Sequence, residues 1–75
     1  MENKILEIVN QIRLNKNLET VESINDDTNL RNDLELSSFD LAELTVRIED
    51  EFGIDIFEDG LVSTVGEIKE KLSKK

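Results

Sequence analysis

Apolar residues recur at helical spacing in three stretches of the chain, and each stretch predicts an amphipathic helix. The first helix runs from Glu2 to about Asn15 and ends at a polar run. The second runs from about Ser38 to Phe52 and stops at Gly53, a residue suited to the left-handed conformation that ends many helices. The predicted core positions are Ile5, Ile8, Val9 and Ile12 in the first helix and Leu41, Leu44, Ile48 and Phe52 in the second.

A third helix is predicted near the C-terminus, where Thr64 and Glu67 have the spacing of a capping box. Its inner face would consist of Val65, Ile68 and Leu72. A short helical turn over Phe57–Leu61, broken at Gly60, would precede it. We therefore expect an all-α bundle of three longer helices and one short helix around one aliphatic core.

The segment between the first two helices has no helical period. A connection of about twenty residues is long for so small a domain, and its scattered apolar residues predict that it is pinned to the core. Its turn is predicted at Asp26–Asn29. The apolar residues of this segment are Leu18, Val21, Ile24, Leu30, Leu34 and Leu36.

Length and composition limit the possible classes of protein. Seventy-five residues form one domain, residues 1–75, with no cysteine for disulfides and no apolar run that could cross a membrane. We therefore expect a cytoplasmic monomer without membrane insertion. The chain also lacks histidine. Without histidine it has no general base of the usual kind, and without cysteine it lacks the best nucleophile, so a non-catalytic role is expected. An apparent calcium loop beginning at Asp55 fails at its third and twelfth positions, so no metal site is predicted.

The acidic residues outnumber the basic residues by 18 to 9, which gives a net charge of −9. This charge opposes binding to nucleic acid and favours partners with basic surfaces, although it could also serve only solubility. Eight of the acids lie between residues 40 and 59, where Arg47 is the one base. This uneven distribution favours a docking surface on the second helix.

Two adjacent serines precede the second helix. Ser37 and Asp40 have the spacing of a near capping box, so Ser37 is the predicted N-cap. Ser38 then falls in the first helical turn, where free N–H groups and the positive end of the helix dipole favour an attached phosphate. Taken alone, such a serine is most often no more than part of a cap.

The residues around Ser38 resemble the modification region of the acyl carrier protein family. The family pattern is D-L-G-x-D-S-L, then an acidic and apolar helix, then E-E-x-F-G-I-x-I. This chain reads Asp33-Leu34-Glu35-Leu36-Ser37-Ser38-Phe39 and later Glu49-Asp50-Glu51-Phe52-Gly53-Ile54-Asp55-Ile56. The resemblance covers nearly the whole chain and implies an acyl-carrier-like helical bundle. Among its differences from the family, Ser37 replaces an aspartate, Phe39 a leucine and Phe57 a proline.

The resemblance implies that Ser38 holds 4'-phosphopantetheine, because it lies five residues after Asp33 and fourteen before Phe52, whereas Ser37 fits neither spacing. A phosphopantetheinyl transferase would attach the group from coenzyme A. The protein would then carry acyl or aminoacyl groups as thioesters, without catalysis, in fatty-acid or specialised acyl biosynthesis.

The resemblance also implies docking of the transferase and of acyl-transferring, ligating or synthase enzymes on the second helix. The implied partner-binding residues are Phe39, Asp40, Ala42, Glu43, Val46, Glu49 and Asp50. Apart from the resemblance, Phe39, Ala42 and Val46 form a second, weaker apolar line beside the core face of this helix. In a three-helix domain we expect Phe39 and Val46 to be at least partly exposed beside Ser38. Packing of both side chains in the core is the alternative.

Two other functions remain open at this point. An acidic helical adaptor that is never modified would bind a basic partner through the same face, and Ser37 in place of the aspartate favours it. A partly disordered chain that folds on binding is the other possibility, because clustered acids repel one another. The helical periodicity argues against it.

Overall fold

Three α-helices enclose one aliphatic core in the computed structural model, which describes residues 2–58, 60 and 62–73. The helices are α1 (Glu2–Asn15), α2 (Ser38–Phe52) and α3 (Val65–Ser73). Apart from one isolated antiparallel bridge between Asn29 and Thr64, no β-structure occurs in the described part of the chain. The predicted all-α class and the predicted bounds of the first two helices are confirmed.

The predicted inner faces of the helices are buried. Leu44 and Ile48 on α2 are fully enclosed, while Phe52 at the end of that helix is half-buried. Burying one such aliphatic side chain stabilises a fold by about 1.5–3 kcal/mol, whereas isolated helices of this length are marginal in water. Packing against the shared core therefore holds the helices, and Gly53 ends α2 with the expected left-handed φ of 73°.

The long connection between α1 and α2 is pinned to the core, as predicted. Its buried side chains are Ile24, Leu30, Leu34 and Leu36. The backbone of the connection also meets the segment before α3, where the Leu30 N–H donates to the Ser63 carbonyl at 2.8 Å. A turn closed by the Thr28 N–H and the Asn25 carbonyl, 3.1 Å apart, lies one residue earlier than the predicted turn.

Two polar side chains of α1 hold the connection from the other side. Arg13 is only 8% exposed, and its guanidinium donates to the carbonyls of Glu19 and Leu34 at 2.8 and 2.6 Å. One turn earlier, the Asn10 amide donates to the Val21 carbonyl at 3.0 Å and accepts from its N–H at 2.8 Å. The connection is therefore an ordered part of the fold.

The expected short helix over residues 57–61 is not formed in its described part. Residues 56–58 form turns instead. The Asp55 carboxylate accepts a hydrogen bond from the Phe57 N–H at 2.9 Å, and such a local bond competes with helical bonding. Asp59 and Leu61 lie outside the described residues.

We expect Arg13→Leu to lower the free energy of unfolding by about 2–3 kcal/mol, because it leaves two carbonyls without their donor. Urea unfolding followed by circular dichroism measures the loss. Arg47→Leu is the matched control, since the Arg47 ion pair with Glu43 is partly exposed and such pairs contribute at most about 1 kcal/mol. Equal losses in the two variants would contradict a structural role for Arg13.

Candidate functional site

Ser37 is the N-cap of α2, and its side chain is fully used in that role. Its Oγ accepts from the Asp40 N–H at 3.2 Å and donates to the Asp40 carboxylate at 3.0 Å. The same carboxylate accepts from the Ser37 N–H at 2.8 Å. The predicted capping box is therefore present in both directions.

Ser38 is the first residue of α2, and it is exposed. Its hydroxyl takes no part in the capping box and accepts a hydrogen bond from the Arg31 guanidinium at 3.2 Å. The first turn of a helix leaves the N–H groups of Ser38 and Phe39 without intrahelical acceptors, at the positive end of the dipole. A phosphodiester on the Ser38 oxygen would thus lie between two sources of positive charge, so these residues fit the implied group.

The end of α1 holds the beginning of α2 through Lys16. Its ammonium contacts the Asp40 carboxylate at 2.6 Å and donates to the Glu35 carbonyl at 2.7 Å. Partial burial raises the pKa of Asp40, but the hydrogen bonds from Lys16 and Ser37 outweigh this effect and hold the pKa below its ordinary value. Asp40 therefore stays ionised at neutral pH, as the capping box requires.

Glu35, two residues before Ser37, has a left-handed backbone conformation with a φ of 57°. This conformation costs a residue other than glycine about 1–2 kcal/mol. The position corresponds to the glycine of the D-L-G segment in the family pattern, and glycine adopts this conformation without that cost. Here the bond from Lys16 to the Glu35 carbonyl helps to hold the turn.

The predicted apolar line on α2 is exposed. Phe39 is 88% exposed and Val46 is 58% exposed, and Ala42 between them is also exposed. These three residues, called here the exposed apolar stripe, are spaced to share one helix face. The expectation that Phe39 and Val46 are accessible is confirmed, and the alternative that both pack in the core is wrong.

The four predicted acidic docking residues differ in their surroundings. Glu49 and Asp50 are exposed and continue the line of the exposed apolar stripe along the helix. Asp40 is bonded to Lys16 with only 14% of its side chain exposed. Glu43 is paired with Arg47 at 2.8 Å. The carboxylates at the far end of α2 are therefore more accessible than those near Ser38.

Arg31 is not among the predicted site residues, yet the structure places it against Ser38. It lies in a second turn of the long connection, where the Asn29 side chain accepts from the N–H groups of Arg31 and Asn32 at 2.9 and 2.8 Å. The Asp33 carboxylate accepts from the Asn29 N–H at 2.7 Å. Asparagine and aspartate at this spacing are a turn signal, but they do not reveal the direction of the Arg31 side chain.

Residues 2–58, 60 and 62–73 contain neither a helix that could span a membrane nor a metal-binding cluster of side chains. None of the helices there has the length and apolar character that a bilayer span requires. The same residues contain no group of three or more Asp, Glu, His or Cys side chains that could hold a metal ion.

Comparison with known proteins gives a family match over most of the chain. The model of a family described as "Phosphopantetheine attachment site" matches residues 4–72. Among curated proteins, an acyl carrier protein from Lactobacillus acidophilus is 44% identical over 48 residues. This alignment covers 61% of the chain and 60% of the length of that relative. No solved structure matches the chain.

The two serines are expected to differ in their effect on stability. Ser37→Ala should lower the free energy of unfolding by about 1 kcal/mol, because it removes the N-cap acceptor, and should lower Tm by about 4–8 °C. Ser38→Ala is the matched control and should change stability by less than about 0.5 kcal/mol. Thermal unfolding of both variants tests this, and a larger loss in Ser38→Ala would contradict the assignment of Ser37 as the cap.

Proposed function

Because the chain belongs to the phosphopantetheine-attachment family, we propose that it is an acyl carrier protein loaded at Ser38. The prosthetic group of this family is covalently attached 4'-phosphopantetheine. The observation that best supports Ser38 is the separation of roles between the two serines. Both serines are exposed. The Ser37 hydroxyl donates and accepts within the capping box, whereas the Ser38 hydroxyl is outside it.

In the proposed loading reaction, a phosphopantetheinyl transferase would move phosphopantetheine from coenzyme A to Ser38. The Ser38 oxygen forms a bond to the phosphorus that bears the pantetheine half of coenzyme A. The bond from that phosphorus to the bridging pyrophosphate oxygen breaks, adenosine 3',5'-bisphosphate leaves, and the hydroxyl loses its proton. The attached group supplies a terminal thiol that holds acyl or aminoacyl groups as thioesters, while the protein supplies delivery and orientation.

We infer that the protein itself catalyses no step and serves fatty-acid or specialised acyl biosynthesis. The chain contains neither histidine nor cysteine, so the reactive thiol must come from the prosthetic group. Because loading consumes coenzyme A, an intracellular metabolite, we place the protein in the cytoplasm. We also propose that it works as a monomer, so that one arm is delivered to one partner at a time.

We assign partner docking to the exposed apolar stripe together with Glu49 and Asp50. The stripe begins directly after Ser38, so an enzyme that reaches the arm also meets Phe39. The acids would steer partners with basic surfaces, such as transferases, ligases and synthases. Asp40 would act mainly by holding the beginning of α2, because Lys16 already neutralises it. Contacts of this kind are weak enough for a carrier to leave each enzyme quickly.

Intact mass after incubation with coenzyme A and a broad-specificity phosphopantetheinyl transferase tests the loading site. We expect one added phosphopantetheine in the parent and in Ser37→Ala, and none in Ser38→Ala, since that variant lacks the attacking oxygen. Addition lost only in Ser37→Ala would mean that Ser37, and not Ser38, is the loading site. No addition in any of the three, with the transferase active on another carrier, would overturn the proposal in favour of an unmodified acidic adaptor.

Charge removal at the far end of α2 tests the docking surface. The double variant Glu49→Gln/Asp50→Asn should lower kcat/KM of the transferase about 3–10-fold at low salt, because it weakens electrostatic steering. The difference should shrink as salt screens the charges. The matched control is Glu7→Gln/Glu19→Gln, which removes two exposed acids outside α2. An equal loss in the control would show that only net charge matters.

A further inference from the structure

Arg31 is one of two basic residues in the most acidic part of the chain. From residue 20 to residue 58 the sequence has twelve acidic residues and two basic ones. The other base, Arg47, is paired with Glu43 at 2.8 Å. Within the described residues, no carboxylate forms an ion pair with Arg31. None of the described carboxylates therefore neutralises its positive charge.

The Arg31 side chain is aimed at the oxygen proposed for loading. Its guanidinium donates to Ser38 Oγ at 3.2 Å. The backbone of Arg31 is held by the Asn29 side chain at 2.9 Å, and Asn29 is held by the Asp33 carboxylate at 2.7 Å. The cation thus projects from an ordered turn, which lowers the entropic cost of holding it beside Ser38.

We propose that Arg31 is a positioning residue that binds the phosphodiester of the 4'-phosphopantetheine on Ser38. This inference rests on the proposed function, in which Ser38 bears that group. Loading replaces the hydroxyl proton with an anionic phosphoryl group, so a bond to a neutral acceptor becomes a charge-assisted one. The guanidinium has five N–H donors in a planar fork, which suits two oxygens of one phosphate.

The proposal explains how an acidic domain accepts another negative charge. A phosphodiester at Ser38 is close in sequence to Asp33, Glu35 and Asp40. Lys16 already compensates Asp40, and the helix N-terminus supplies only partial positive charge. Arg31 supplies a full positive charge to compensate the negative charge of the phosphodiester.

Arg31 also lines an open groove with a volume of about 390 Å³. A phosphopantetheine arm whose phosphodiester is bound by Arg31 would therefore begin beside this groove. The other lining residues are Asn29, Asn32, Leu41, Val62 and Ser63. Their apolar and amide side chains match the dimethyl and amide groups of pantetheine. Leu41 belongs to the buried face of α2, so an arm that starts here leaves the exposed apolar stripe accessible to enzymes.

The test compares unloaded and loaded forms of the parent, Arg31→Gln and the matched control Arg47→Gln, after intact mass has established loading. The measured quantity is Tm of the loaded form minus Tm of the unloaded form at low salt. We expect this difference to be about 2–6 °C larger in the parent than in Arg31→Gln, because only the parent forms the charged contact. Arg47→Gln should behave like the parent, and the gap should narrow when salt is added.

A merely structural role would lower both Tm values of Arg31→Gln equally and leave their difference unchanged, which would overturn the inference while loading at Ser38 stands. Arg31→Lys keeps the positive charge but loses the planar guanidinium, so it should retain part of the difference in Tm between loaded and unloaded forms. It replaces Arg31→Gln in the test if Arg31→Gln does not fold. As a second readout, loading should shift the NMR signals of the guanidinium N–H groups of Arg31 in the parent, the Nη groups included, and unmoved signals would contradict the contact. Absence of loading on Ser38 would instead overturn the proposed function itself, and this inference with it.

Discussion

The last turn of α1 and the residue that follows it, Lys16, hold the start of α2 in place. Arg13 holds the Leu34 carbonyl at 2.6 Å, and Lys16 holds the Glu35 carbonyl and the Asp40 carboxylate at 2.7 and 2.6 Å. Two of these contacts hold backbone carbonyls shortly before the two serines. One of the two belongs to Glu35, whose left-handed conformation is unfavourable for glutamate. Without these contacts, the end of the connection would be less firmly fixed beside the start of α2. The capping box and the exposure of the next serine both depend on this anchoring.

Positive charge in this domain has two different uses. Arg13 is buried and donates to backbone carbonyls, so its role is to satisfy polar groups that the fold encloses. Arg31 is exposed and donates to a hydroxyl that the capping box leaves free. In the proposed function, the acidic surface would favour encounters with basic enzymes, but it would also oppose the attachment of a phosphodiester. Arg31, which donates to Ser38 Oγ, would reconcile these two demands without reducing the acidity of α2.

The small size of the domain explains the exposed apolar stripe. α2 has two lines of apolar residues, and the neighbouring elements cover only the line that includes Leu44 and Ile48. The other line, with Phe39 and Val46, stays accessible beside Ser38. The sequence predicts this outcome because a three-helix domain offers one core, and a helix can turn only one face toward it. Exposed apolar area of this kind is typical of an interaction surface.

By itself, the sequence determined the features that depend on residues three or four positions apart. These are the helices, the capping pair of Ser37 and Asp40, the stop at Gly53 and the family pattern around Ser38. Only the tertiary structure decided which charged side chains meet across the chain. Lys16 and Asp40 are 24 positions apart, and the direction of Arg31 depends on a turn packed against other elements. Periodicity and capping act within one helical turn, so no local pattern encodes contacts that form only when distant segments are brought together.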